Sequence, residues 1–192
     1  MLNQLLSVIR DNVKDEATVL ELGCGNGRLA NAVAEQIKGV KKIVAVDYYN
    51  QPENLSAKVE FVKQDLEDLQ LNGTFDLVIL NQVLEHIKNP LGLLVRAKKF
   101  LSRHGRILIV VPNRNGFNNE ARVYLPEHGK HYWLWDVESL QFSLERIGFA
   151  CRFYNRYTAA SHNIILRYIP MFLRIQNPQI TCIAMKDDEA SV

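Results

Sequence analysis

The segment Glu21-Leu22-Gly23-Cys24-Gly25-Asn26-Gly27 sets three glycines at alternate positions. An apolar run, Thr18 to Leu20, precedes it, and a helix-like pattern begins at Arg28. Glycine at this spacing suits a ligand that must approach the backbone closely, because side chains would block it and positive φ angles are needed. A carboxylate, Asp47, ends the next apolar run, Ile43-Val44-Ala45-Val46, about twenty residues after the last glycine. A strand, a glycine turn, a helix and a second strand closed by an acid describe a nucleoside-binding half-domain. The acid would accept the two ribose hydroxyls while the turn holds the rest of the ligand.

The dinucleotide fingerprint needs glycine at its first, third and sixth positions. Counted from Gly23 the sixth place is Arg28, whose long side chain conflicts with the close helix–strand packing that the last glycine permits. The third glycine instead comes one place early, at Gly27, and Glu21 stands two residues before the first. This arrangement resembles motif I of the class I S-adenosylmethionine (SAM)-dependent methyltransferases, where a methionine moiety lies beside the loop. Other stations follow in that family's order. Asp47 matches the ribose-binding acid, and Asp65, in Gln64-Asp65-Leu66, matches the acid that accepts from the adenine amine. Phe75 to Asn81 matches the fourth-strand motif, Gln82-Val83-Leu84-Glu85-His86-Ile87 the segment after it, and Arg106 to Asn113 the fifth strand. The branch it resembles includes small quinone-biosynthesis enzymes. The resemblance implies SAM as cofactor and S-adenosylhomocysteine as product. Its site would be built from Glu21, Gly23, Cys24, Gly25, Asn26, Gly27, Asp47, Tyr48, Asp65, Leu66, Asn81 and Gln82.

The elements that must position these residues alternate clearly. The first helix spans about residues 1–13, with Leu2, Leu5, Leu6 and Ile9 at helical spacing. The next spans about Arg28 to Lys38, with Gly39 as its stop. Asn89-Pro90 opens another, with Asn as cap, Pro at the first position, and Leu91, Leu94, Val95 and Leu101 as its stripe. Gly105 is expected to break the chain before the fifth strand. Asp136 caps a further helix bearing Val137, Leu140, Leu144 and Ile147, and Phe149 to Tyr154 and Gln179 to Lys186 read as late strands. Nearly continuous apolar runs suit parallel strands buried on both faces. The expected fold is a single α/β domain over residues 1–192. Its Rossmann-like sheet is seven-stranded and mostly parallel, with helices on both faces. The resemblance adds an antiparallel last strand, the final two strands pairing at one sheet edge, which periodicity alone does not reveal.

Composition narrows the classes. A chain of 192 residues with 47% apolar residues fits one globular domain. A net charge of +2 is too small to argue for nucleic-acid binding. Cys24, Cys151 and Cys182 offer neither a metal spacing nor a disulfide framework, which suits a reducing cytoplasm. In the glycine loop, Cys24 reads as a small side chain filling a tight turn. The N-terminus does not read as a signal peptide, and no run approaches the ~20 apolar residues of a spanning helix.

Methyl transfer from a sulfonium is an in-line displacement, so the protein chiefly aligns the nucleophile and excludes water. Families that methylate planar amines often carry Asn/Asp-Pro-Pro-aromatic after the fourth strand. Asn81-Gln82-Val83-Leu84 departs from this, arguing against base or amide N-methylation and leaving small-molecule O-, N- or C-methylation open. His86 and His131 are the candidate catalytic groups, each with an ordinary structural alternative. Some quinone-biosynthesis and small-RNA methyltransferases hold a divalent metal with Glu-x-x-Glu-His. Here Gln82 takes the first place, so Glu85 and His86 are too few ligands and no metal is expected. His128 and His131 alone do not make a zinc site. The aromatics Tyr132, Trp133 and Trp135 read either as packing or as an acceptor wall, and Arg114, Arg122 and Lys130 as solvated or anion-facing. Segments 114–135 and 161–175 are expected to cover the acceptor side. The second, apolar with Arg167 and Arg174, is compatible with peripheral membrane contact. A small-molecule methyltransferase is the leading reading, and a non-catalytic SAM-binding or protein-interaction module is the other.

Overall fold

The computed structural model describes residues 2–49, 51–116, 131–154 and 178–187. Its seven strands are β1 (Ala17–Leu22), β2 (Val40–Asp47), β3 (Val59–Lys63), β4 (Phe75–Asn81), β5 (Leu101–Pro112), β6 (Phe149–Tyr154) and β7 (Gln179–Lys186). Among the described residues four α-helices accompany them: α1 (Leu2–Arg10), α2 (Arg28–Gln36), α3 (Pro90–Lys99) and α4 (Val137–Arg146).

The sheet runs in the order β3-β2-β1-β4-β5-β7-β6. All neighbouring pairs from β3 to β5 are parallel, whereas β7 lies antiparallel between β5 and β6. The order reverses direction between β1 and β4, opening a crevice at their carboxyl ends where ligands of such sheets bind.

Alternation along the central strands feeds two separate cores. Val19, Ile43, Ala45, Leu77, Ile79 and Leu108 pack with Leu5, Leu6 and Ile9 of α1 and with Leu29 and Val33 of α2. Leu20, Leu22, Val78, Leu80, Ile107 and Ile109 pack on the other face with Leu93, Leu94 and Ala97 of α3 and with Leu140 and Leu144 of α4. Burial on both faces explains the unbroken apolar runs. The expected fold class, including helices on both faces, is the observed one.

Four local expectations shift. The first helix is shorter than residues 1–13, ending at Arg10. Helix α2 ends at Gln36, because Ile37 turns extended and inserts its buried side chain into the core. On α3 the buried residues are Pro90, Leu93, Leu94 and Ala97, an i, i+3, i+4, i+7 set, while Leu91 and Val95 face solvent. Gly105 lies inside β5, where a Cβ would stand 2.7 Å from the Phe75 carbonyl oxygen, beside a register shift against β4. Both caps hold: Asn89 Oδ1 accepts from the Gly92 N–H, and Asp136 forms a reciprocal capping box with Ser139.

Candidate active site

The glycine loop joins β1 to α2 by closely fitted turns. Gly23 has φ +75°, and a Cβ there would stand 2.6 Å from Val83 Cγ2. Gly27, the N-cap of α2 at φ +72°, would meet Leu55 Cδ2 at the same 2.6 Å. Gly25 at φ +53° faces open space, with nothing within 4 Å of a Cβ. Two cavities flank this loop. The first, about 560 Å³, is lined by Glu21, Gly23, Cys24, Gly25, Asn26, Arg28, Asn81 and Gln82, together with Leu2, Leu5 and Val8 of α1 and Gln179 and Thr181 of β7. The second, about 530 Å³, is lined by Gly23, Gly25, Asp47, Tyr48, Tyr49, Asp65, Leu66, Gln82, Val83, His86, Ile87 and Tyr132. Gly23, Gly25 and Gln82 belong to both, so the cavities meet over the loop.

Asp47 ends β2 and is buried. Its Oδ2 accepts from the Gly25 N–H at 2.7 Å and its Oδ1 from the Tyr49 N–H at 3.1 Å. A carboxylate offers about four lone-pair sites, so each oxygen keeps capacity for one hydroxyl of a ribose. Asp65 caps a 3-10 turn (Leu66–Asp68) by accepting from the Glu67 N–H at 2.8 Å. The capping fixes its carboxylate at the rim of the second cavity.

Glu21 lies almost completely buried at the end of β1. It accepts from the Ala30 backbone in the first turn of α2, yet its Oε2 has no partner. Burial, with the Asp47 charge nearby adding to it, pushes its carboxyl up to about 8. A carboxyl of this kind keeps its proton until a positive charge comes close to it. Burial also raises the Cys24 thiol to about 12, with Glu21 and Asp47 adding to the effect, so it stays protonated and unreactive.

After β4 the chain turns sharply. Gln82 has φ +57°, a left-handed value that costs a non-glycine residue on the order of 1 kcal/mol or more. Its Nε2 is sealed from solvent without a partner. A 3-10 turn (Leu84–His86) follows and sets Glu85 in the interior, both carboxylate oxygens unpartnered. Burial pushes that carboxyl up to about 7. Residues 131–135 form a strap on this turn. The Tyr132 N–H donates to the Glu85 carbonyl at 2.7 Å, and Trp133 Nε1–H donates to the Ile87 carbonyl at 2.9 Å. The strap brings the His131 ring edge-on to His86, with centroids 4.7 Å apart. One ligand atom from each of Glu85, His86 and His131 lies within 4.8 Å of the others. Partial burial and the facing His86 hold His131 below the ordinary 6.5.

Eleven of the twelve cofactor residues expected from sequence line these cavities; Gly27 lines neither, and packing against Leu55 and Pro52 accounts for it. Sequence reasoning gave the first helix no place in the site and missed the contribution of β7, because no local signal announces which residues of an antiparallel strand reach the crevice. His128, Arg122, Lys130 and residues 161–175 lie outside the described residues, so the membrane-contact expectation has no structural counterpart here. Among the described residues no helix is long and apolar enough to cross a membrane.

Comparison with known proteins agrees with this geometry. A methyltransferase-domain family model matches residues 2–152. The chain is 31% identical over 133 residues to a ubiquinone biosynthesis O-methyltransferase of Xanthomonas campestris, covering 60% of this chain and 55% of that protein. It is 29% identical over 109 residues to (S)-coclaurine N-methyltransferase of Thalictrum flavum, covering 52% of this chain and 30% of that protein. The matches thus span roughly a third to a half of the relatives' own length. In fold it agrees with the 1,6-didemethyltoxoflavin-N1-methyltransferase of Burkholderia thailandensis, solved with S-adenosylhomocysteine. That likeness has a TM-score of 0.69 at 20% identity and covers 96% of this chain and 77% of that one. A loop of three glycines, carboxylates ending β2 and following β3, the 3-2-1-4-5-7-6 sheet and the family match over residues 2–152 together make this chain a member of the class I SAM-dependent methyltransferase family.

Proposed function

We propose that this protein transfers the methyl group of SAM to an oxygen, nitrogen or carbon nucleophile of a small molecule. The meeting of the two cavities at Gly23, Gly25 and Gln82 carries the reading. Asp47 and Asp65 give the second cavity acceptors for a ribose and an adenine amine. The orphaned Glu21 oxygen gives the first an acceptor for the cofactor's α-ammonium. The bound cofactor supplies a methyl carbon on a positively charged sulfur. The acceptor's lone pair attacks that carbon, the carbon–sulfur bond breaks, and its electron pair remains on sulfur in the thioether product. Water exclusion falls to α1, whose Leu2, Leu5 and Val8 form an apolar wall of the first cavity. His86, which lines the second cavity, and His131, edge-on to it and with its pKa lowered by burial and the facing His86, are the candidates to take a proton from the acceptor. The relatives named as an O- and an N-methyltransferase favour oxygen or amine acceptors.

Calorimetry with SAM and S-adenosylhomocysteine tests the cofactor half, with micromolar binding expected, on the order of −8 kcal/mol. Binding of NAD in their place would sink it. A panel of phenols, catechols and amines tests turnover; cofactor binding without any product would favour the non-catalytic module.

The Glu85, His86 and His131 cluster supports a second reading of those residues. Expectation of metal-free activity rested on two ligands, and the strap supplies a third. Two imidazoles and a carboxylate suit zinc or a similar first-row ion better than magnesium, and the unpartnered Glu85 oxygens fit such a role. These three residues would hold the ion, and the ion would polarise an acceptor oxygen.

A further inference from the structure

We propose that Tyr132 is a cofactor-contacting residue, its ring closing the open side of the adenosine cavity and tying the strap that carries His131 to cofactor occupancy. The inference rests on the cofactor reading above. Tyr132 lines the same cavity as Asp47 and Asp65, although it comes from the far side of β5 in sequence. Tyr132 is 51% exposed, although its backbone is tied to the turn after β4. Its N–H donates to the Glu85 carbonyl at 2.7 Å, and the neighbouring Trp133 indole donates to the Ile87 carbonyl at 2.9 Å. The backbone that carries the ring is therefore held in place, and a ligand that packs on the ring orders only the side chain. Tyr48, 63% exposed, lines the same cavity from the end of β2. A purine offers a π-face to rings of this kind, and stacking is indifferent to the hydrogen bonds that Asp65 makes. One residue from Tyr132, His131 meets His86, so a nucleoside that presses on Tyr132 also steadies the histidine pair.

The test compares S-adenosylhomocysteine with 5′-methylthioadenosine, which keeps the adenosine and lacks the amino acid. Tyr132→Ala should weaken binding of both by about tenfold or more, the loss of one base–aromatic stack. Tyr132→Phe should bind both within twofold of wild type, since the ring and not the hydroxyl makes the contact. Hydrogen exchange on wild type should show the Tyr132 and Trp133 amides slowing when either ligand is added. Tyr132→Ala within twofold of wild type for both ligands overturns the proposal. Asp47→Ala separates the two levels: if it loses binding while Tyr132→Ala does not, only the Tyr132 assignment fails, and if both bind normally the cofactor reading falls as well.

Discussion

Replacing Glu21 with Gln should make the cofactor-free protein more stable, by an amount that grows with pH. The wild-type carboxyl is buried with one oxygen unpartnered, and its folded pKa is raised from 4.5 to about 8. A raised carboxyl pKa means that the folded state holds its proton more tightly than the unfolded chain. That contribution to stability is complete below about pH 4.5 and is lost as pH climbs through about 8. At about 1.36 kcal/mol per unit, the loss reaches roughly 3 kcal/mol by pH 7 and roughly 5 kcal/mol by pH 9. Gln is nearly isosteric with the protonated acid and cannot ionise, so Glu21→Gln should track wild type below about pH 4.5 and separate from it progressively above pH 5. For a domain of this size each kcal/mol moves Tm by about 2–4 °C, so a gap of at least 10 °C is expected at pH 9. Glu85 is raised to about 7, but both proteins share it and it cancels in the difference. Thermal unfolding from pH 5 to 9, without cofactor, is the assay. Parallel profiles for the two proteins would refute the reasoning, because the carboxyl would then be ionising in the fold without penalty.

Asp47→Ala should weaken S-adenosylhomocysteine binding by about 1.5–3 kcal/mol, through lost charge-assisted hydrogen bonds, as read by calorimetry. Gly23→Ala should lower the denaturant-unfolding free energy by about 1–3 kcal/mol, because its Cβ would press on Val83 Cγ2 at 2.6 Å and its φ is +75°. Turnover is expected to survive a chelator; loss that zinc restores, together with zinc binding that His86→Ala abolishes, would establish the metal reading instead. Segments 114–135 and 161–175 should exchange amide hydrogens faster than β4 in the free protein and slow with S-adenosylhomocysteine, whereas protection equal to that of β4 would assign them to the core.

Much of the crevice lining was legible in the chain alone, because the ends of parallel strands carry particular residue types in sequence. Gly23, Gly25, Asp47 and Asp65 stand there by virtue of local geometry, each a few residues beyond an apolar run. The strands β6 and β7 and the caps Asn89 and Asp136 were likewise readable from short-range patterns. Periodicity misjudged the face of α3, since its apolar residues outnumber the positions that the sheet can cover. Tertiary structure alone decided what distant segments contribute to the site. Leu2, Leu5 and Val8 reach it because α1 packs beside α2, and Gln179 and Thr181 because β7 inserts antiparallel against β5. His131 stands next to His86 because Tyr132 and Trp133 hydrogen-bond to the turn after β4, the Trp133–Ile87 contact spanning 46 residues of chain that no local pattern encodes. The raised pKa values of Glu21 and Glu85 come from the same source: an acid in a sequence is only an acid, and what shifts it is the water that folding removes.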